Sequence, residues 1–134
     1  RCNSVTGVQT CALPIWGTWV LCDRFTDATY AYQGGGRGVP REQIATLEQL
    51  VQGELRPDHV VLLDAPVDVG MARARSRSAP DRFEQEKAAF FQRIRDCYLE
   101  RAEQQPLRYH VLNAAQPLED VSRQVATLIA RLVD

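Results

Sequence analysis

Short apolar runs alternate along this chain with stretches in which apolar residues recur every three or four positions. The runs are apolar on both faces, which is typical of strands buried in a parallel sheet. These predicted strands occupy 18–22, 59–63 and 109–112. The predicted helices occupy 40–53, 69–75, 90–99 and 118–132. Because strands and helices alternate, the sequence predicts one domain of the α/β class with a parallel sheet.

The first sixteen residues fit neither pattern. The segment RCNSVTGVQTCALPI has no helical or strand period, holds two of the four cysteines, and resembles a translated sequencing adaptor. We therefore expect residues 1–16 to be an artefactual or disordered leader, and residues 17–134 to be a partial domain whose natural N-terminal part is missing.

Composition narrows the class of protein. The 134 residues are 45% hydrophobic and 25% charged, with a formal net charge of −1, so no overall charge attracts nucleic acid or an anionic membrane. No apolar run is long enough to span a bilayer, and no signal peptide is visible. We expect a cytoplasmic protein with no membrane or nucleic-acid partner.

The cysteines form no C-x-x-C pair and no histidine stands at zinc spacing from them, so no metal ligand is predicted.

An acidic and a basic residue follow the first predicted strand, in Asp23-Arg24-Phe25. In open α/β sheets, ligands bind beyond the carboxyl ends of the strands. A guanidinium grips a phosphate through two parallel hydrogen bonds, which an ammonium cannot do. Arg24 is therefore a candidate phosphate ligand, although an ion pair at the strand end would explain the same residues.

A glycine-rich segment occupies residues 29–38. Three consecutive glycines disfavour a helix, since each costs about 1 kcal/mol relative to alanine there, and they let the backbone approach a neighbour closely. The segment is not an ATP-binding loop, because it lacks G-x-x-x-x-G-K-S/T and the first lysine is Lys87. A short helix before the glycines would present Thr29, Tyr32 and Gln33 on one side. Their hydroxyl, ring and amide could bind a flat pyrimidine base.

Four arginines, Arg73, Arg75, Arg77 and Arg82, lie within ten residues that are interrupted by serines and Pro80. The interruptions predict a mobile loop that carries arginines. Such arginines can close over a phosphoryl group and stabilise the charge of its transition state. A solvated helix face is the alternative interpretation.

Together, these segments resemble the thymidylate kinase family. The segment GTWVLCDRFTDATYAYQGGGRG (17–38) is similar to the family's third strand and monophosphate loop, and RPD (56–58), LLDAPVDVG (62–70) and DRFEQE (81–86) follow at similar spacing. The resemblance extends from Gly17 to Asp134. It implies a P-loop NTPase-like fold of the nucleoside monophosphate kinase type, with a parallel sheet between two layers of helices.

The resemblance also implies a reaction and a set of roles. The reaction is the transfer of a phosphoryl group from ATP to dTMP, with Mg²⁺. Arg24 would bind the phosphate of dTMP, and Asp23 would lie near the metal ion and the transferred group. Thr29 and Gln33 would bond the thymine base, and Tyr32 would pack near the nucleoside.

The remaining implied roles concern the lid and the assembly. Arg77 would be the lid arginine that reaches the ATP phosphates, with Arg73, Arg75 and Arg82 as helpers. Arg77 would thus be catalytic together with Asp23 and Arg24. The family commonly forms homodimers, and the helix at 40–53 is a candidate contributor to the interface.

The chain departs from the family pattern at its start. The family begins with a strand and an ATP-binding glycine loop, and neither occurs in this sequence. A phenylalanine and an arginine that the family uses against thymine are also absent. In the family's sheet that first strand lies between those corresponding to 18–22 and 59–64, so we expect this chain alone to fold poorly and to lack kinase activity.

The alternatives to a thymidylate kinase are a fragment that binds a nucleoside monophosphate without catalysis, a related nucleoside or nucleotide kinase, and an interaction protein without a substrate.

Overall fold

A computed structural model describes residues 19–75 and 84–133, apart from the side chains of residues 75 and 84–86. The expected leader, residues 1–16, lies outside this part. The helices are α1 (Thr26–Thr29), a π-helical segment (Tyr30–Gly36), α2 (Arg41–Gln52), α3 (Val67–Arg75), α4 (Glu84–Gln104) and α5 (Leu118–Val133). The strands are β1 (Val60–Asp64) and β2 (Tyr109–Asn113).

The two strands form a parallel sheet in which Val60 lies opposite Tyr109 and Asp64 opposite Asn113. Parallel neighbours need a long crossover connection, which α3 and α4 provide. Helices α4 and α5 both contact β2. The predicted α/β class with a parallel sheet is confirmed, and the strands and the three long helices lie close to their predicted positions.

The predicted strand at 18–22 is wrong for residues 19–22, which take no regular secondary structure. A strand is stabilised by a neighbour that accepts and donates backbone hydrogen bonds. In the described part of the chain, β1 and β2 pair only with each other. Trp19 and Leu21 are 63% and 93% exposed, so this apolar run has neither a strand partner nor a covering layer.

The core lies between the π-helical segment, α2 and α4. Its buried side chains come from all three elements, and Ala31 is fully buried. The buried residues are Tyr30, Ala31, Ile44, Ile94 and Cys97, with Tyr32, Val39, Phe90 and Tyr98 packed against them. The segment that was predicted to bind a base therefore contributes one side of the core. Among the described helices, none has the length and apolar character that crossing a bilayer requires.

Two histidines meet near the start of the sheet. His110 Nε2 lies 3.1 Å from His59 Nδ1, and the ring centroids are 5.2 Å apart. Burial, and next the nearby His59, lower the pKa of His110. The fold therefore favours the neutral imidazole at this position.

Acidification should destabilise the chain through His110. Its pKa is depressed in the folded state and close to about 6.5 in the unfolded state, so the unfolded chain binds the proton more readily. The free energy of unfolding should fall as the pH drops through about 6.5, and His110→Gln should lose less stability between about pH 7 and pH 5. Urea unfolding at each pH measures both profiles. His59→Gln should give an intermediate profile, because burial of His110 remains, whereas identical profiles for all three proteins would contradict the assignment.

Candidate functional site

Arg24 adopts an unusual backbone conformation just before α1. Its φ of 58° lies in the left-handed region, which residues with a side chain rarely enter. Such residues concentrate at functional sites, because the surrounding structure has to hold them there. Here the Arg24 guanidinium donates a hydrogen bond of 2.7 Å to the Tyr32 hydroxyl, and its carbon lies 4.8 Å from the centroid of the Tyr32 ring. The predicted phosphate ligand and a predicted nucleoside contact are thus neighbours.

An aromatic surface from α4 supports Tyr32. The Tyr32 and Phe90 rings pack edge to face, with centroids 6.4 Å apart. Tyr98 is half-buried beside them, and burial, with a smaller effect of Tyr32, raises the pKa of Tyr98 to about 12. The Tyr98 hydroxyl therefore stays protonated at neutral pH. Arg24 packs against the Tyr32 ring on one side and remains exposed to solvent on the other.

The other predicted ligands in this region are accessible. Gln33 accepts a hydrogen bond of 3.1 Å from Arg37, so one end of its amide is already oriented. Thr29 and Asp23 are exposed. Among the contacts of the described residues, neither Thr29 nor Asp23 is joined to the pair of Arg24 and Tyr32. The structure joins Arg24 to Tyr32. It places Gln33 next to Tyr32 in the π-helical segment, with its amide bonded to Arg37, and leaves Thr29 and Asp23 exposed.

The predicted lid falls largely outside the described residues. Arg77, Arg82 and the side chain of Arg75 are not among them, so their roles stay predictions. Arg73 is described at the end of α3. Its guanidinium donates to three successive backbone oxygens in the turn between β2 and α5, at 2.6, 2.9 and 3.1 Å. These contacts give Arg73 a structural role in addition to the helper role predicted for it.

The sequence did not single out Asp27, which is 6% exposed. Its carboxylate accepts hydrogen bonds of 2.8 and 2.6 Å from Arg101 and a further hydrogen bond from the Tyr109 hydroxyl. Arg108 approaches the same oxygen at 3.4 Å. The partners stand 74 to 82 positions later in the chain, so no local signal could have found them.

Tyr30 links the same network to α2. The Arg101 guanidinium carbon lies 4.0 Å from the centroid of the Tyr30 ring. The Tyr30 hydroxyl donates a hydrogen bond of 2.7 Å to Glu48, which also pairs with Arg56 at 3.1 Å. Burial and then this hydrogen bond raise the pKa of Tyr30. Tyr30, next to the candidate site, is therefore held by α4 on one side and by α2 on the other.

The prediction that the glycines disfavour a helix is wrong, because Gly34–Gly36 complete the π-helical segment. Their close approach to a neighbour explains this. A Cβ atom on Gly35 would lie 2.8 Å from the Cβ of Cys97 and 2.9 Å from the Arg93 carbonyl oxygen. A Cβ on Gly36 would lie 2.7 Å from the Phe90 ring. Packing against α4 offsets the low helix propensity of glycine.

Comparison with known proteins decides the family. A family model for thymidylate kinases matches residues 14–125. This chain belongs to the thymidylate kinase family. Its P-loop NTPase-like class agrees with the observed parallel sheet.

Curated thymidylate kinases of bacteria are similar to this chain over most of its length. The thymidylate kinase of Pseudomonas putida (strain W619) is 59% identical over 118 residues, which are 88% of this chain and 57% of the relative. That of Pseudomonas entomophila (strain L48) is 59% identical over 88% of this chain and 56% of its own length. That of Alcanivorax borkumensis is 57% identical over 87% and 56%. This chain thus spans little more than half the length of these relatives.

Substitution of Gly35 tests the packing behind the site. Gly35→Ala should destabilise the chain by about 1–3 kcal/mol, because the new methyl group meets the backbone of α4 and the rigid Cβ of Cys97. Gly70→Ala is the matched control, since a Cβ there meets nothing within 4 Å. It should be neutral or raise stability by up to about 1 kcal/mol through helix propensity. Chemical unfolding measures both variants, and equal stabilities would refute the close-packing argument.

Proposed function

We propose that the complete protein containing this chain transfers a phosphoryl group from ATP to dTMP, giving dTDP and ADP. The observation that carries the proposal is the contact of Arg24 with Tyr32 in a segment that also presents Gln33. Membership of the thymidylate kinase family supports the same reaction.

Arg24 is the proposed ligand of the dTMP phosphate. Its guanidinium is exposed and oriented by the Tyr32 hydroxyl, and a planar guanidinium can bind two phosphate oxygens at once. Thr29 and Gln33 are proposed to bond the edge of the thymine base, since an amide both donates and accepts. Tyr32 packs beside the nucleoside. This arrangement orients the acceptor phosphate, which is the main contribution a protein makes to phosphoryl transfer.

The charge of the transferred group requires compensation by cations. Arg77 is proposed to supply it from the lid, with Arg73, Arg75 and Arg82 nearby. Mg²⁺ bound with ATP would take most of its ligands from phosphate and water, with one or two carboxylates from the protein. Asp23 fits that requirement, because its carboxylate is exposed next to Arg24. In the described ranges, no three histidine, cysteine or acidic side chains cluster into a cage for a metal ion. When bound, Mg²⁺ neutralises phosphate charge.

The ATP-binding part of the reaction needs residues beyond those of this chain. The 134 residues contain no G-x-x-x-x-G-K-S/T, and they cover 57% of the length of the Pseudomonas putida relative. We therefore propose that the chain alone binds a nucleoside monophosphate at most and transfers nothing. Because the proposed substrates are nucleotides of the cytoplasm, we place the protein there.

We propose further that the complete protein is a homodimer and that α2 contributes to its interface. Leu47, Leu50 and Val51 lie on one side of this helix and are 59%, 80% and 79% exposed. Leu55, just beyond the helix, is 54% exposed. A cluster of apolar side chains on one helix face is typical of a surface that a partner covers. A second copy of the chain offers the same face, as a two-fold interface requires.

The proposed reaction is tested by Arg24→Lys in the complete protein. Loss of the bidentate phosphate contact should lower kcat/KM for dTMP about tenfold or more, or roughly 1.4 kcal/mol. Arg123→Lys, an exposed arginine on α5, is the control and should leave it unchanged. The assay measures ATP-dependent dTDP formation, with dUMP and dCMP as competing acceptors. Weak preference for dTMP, or an unchanged kcat/KM in Arg24→Lys, would count against the proposed reaction. Formation of dTDP by the 134-residue chain alone would refute the separate proposal that this chain transfers nothing.

The proposed dimer is tested by Leu50→Glu. A buried carboxylate without a partner is costly, so the variant should shift the complete protein towards the monomer. Gln49→Glu adds the same charge to an exposed position on the other side of α2 and should leave the dimer intact. Light scattering after size exclusion gives the mass of each variant. A wild-type monomer, or equal dissociation of both variants, would rule out this interface.

A further inference from the structure

Asp27 is the only charged side chain in the described part of the chain that is buried. It lies in α1, three residues after Arg24 and two before Thr29. Burial of a carboxylate is costly unless it is paired and hydrogen-bonded. The side chains that surround Asp27 supply those bonds from two elements, α4 and β2.

The group formed by Asp27, Arg101, Arg108 and Tyr109 carries a net positive charge, because two arginines face one carboxylate. The side chains of Arg101 and Arg108 are only 15% and 17% exposed, so water screens them weakly. Burial alone would lower the pKa of Arg101, but its hydrogen bonds to Asp27 and Tyr109 outweigh that effect and raise it. Both arginines depend on Asp27 for compensation of their charge. Removal of this carboxylate would therefore release all three partners together.

Helix α1 is the start of a helical stretch that continues directly into the π-helical segment (Tyr30–Gly36), so the packing of that segment against α4 holds the C-terminal end of α1. Thr26 bonds to Gln52 at the end of α2, and Asp27 bonds to Arg101 in α4. The bonds of Asp27 thus fix the rotation of α1 about its axis. They turn Thr29, on the opposite side of α1 from the buried carboxylate, towards solvent. The left-handed backbone at Arg24 precedes this anchor by three residues.

We propose that Asp27 is a positioning residue for the monophosphate site. It fixes α1 against α4 and β2, so that Arg24 and Thr29 meet the same ligand without further rearrangement. This inference rests on the proposed function, since it assumes that dTMP binds at Arg24. A misplacement of about 1 Å at such a site can cost up to a hundredfold in rate.

The test compares three variants of the complete protein. Asp27→Asn keeps the shape but removes the charge. Tyr109→Phe keeps the charge and removes one hydrogen bond to Asp27, together with the longer hydrogen bonds of 3.4 Å that Arg101 and Arg108 donate to the Tyr109 hydroxyl. Asp64→Asn is the matched control, because Asp64 also pairs with an α4 arginine, Arg95, at 2.7 and 2.8 Å, but in β1. Equilibrium titration gives the dTMP dissociation constant, steady-state kinetics gives KM for dTMP and ATP, and thermal unfolding gives stability.

The dissociation constant for dTMP should rise about tenfold in Asp27→Asn and a few fold in Tyr109→Phe, with KM for ATP unchanged. Asp64→Asn should lose stability without losing affinity for dTMP. Equal losses of affinity in Asp27→Asn and Asp64→Asn, or an unchanged affinity in folded Asp27→Asn, would overturn the proposal. If Asp27→Asn does not fold, an unchanged affinity in Tyr109→Phe overturns it. Absence of dTMP binding by the wild-type protein would instead refute the proposed function.

Discussion

The backbone of the π-helical segment lies directly against α4, and the rest of the structure depends on this contact. Gly35 and Gly36 permit it, since a Cβ on either would overlap atoms of α4. The Arg93 side chain then reaches the Gly36 carbonyl oxygen at 3.2 Å. Because the two backbones are so close, Tyr30 and Ala31 are buried, and Tyr32 is turned towards Phe90 and the candidate site.

Helix α4 joins the other elements through its charged side chains. Arg95 binds Asp64 at the end of β1, Arg101 binds Asp27 in α1, and Glu100 pairs with Arg41 at the start of α2. The buried pair contributes most to the choice of one arrangement, because an unpaired charge there would be costly. The exposed pair of Arg41 and Glu100 contributes little to stability. In the described part of the chain the sheet has two strands, and α4 stabilises the fold by contacting most of the other elements.

The site combines an exposed cation with a rigid apolar support. Arg24 is held by the Tyr32 hydroxyl and ring, and Tyr32 is held by Phe90. An arginine that is oriented before a ligand arrives loses less conformational freedom on binding. This arrangement supports the proposed role of Arg24 as a phosphate ligand. The buried network behind it joins Asp27, which lies in the segment 17–38 that carries the family resemblance, to Arg101 and Tyr109, for which the resemblance implied no role.

The sequence alone determined the α/β class, the two strands and the long helices, because hydrophobic periodicity is a local property. It also predicted a site at Arg24, Tyr32 and Gln33, of which Arg24 and Tyr32 are close in the chain and in contact. Tertiary structure decided that the glycines form a helical turn and that residues 19–22 form no strand, since both outcomes depend on a neighbouring backbone. It alone revealed the network of Asp27, because its partners lie more than seventy positions away. Contacts between distant segments arise only when the core brings them together, and no local pattern encodes them.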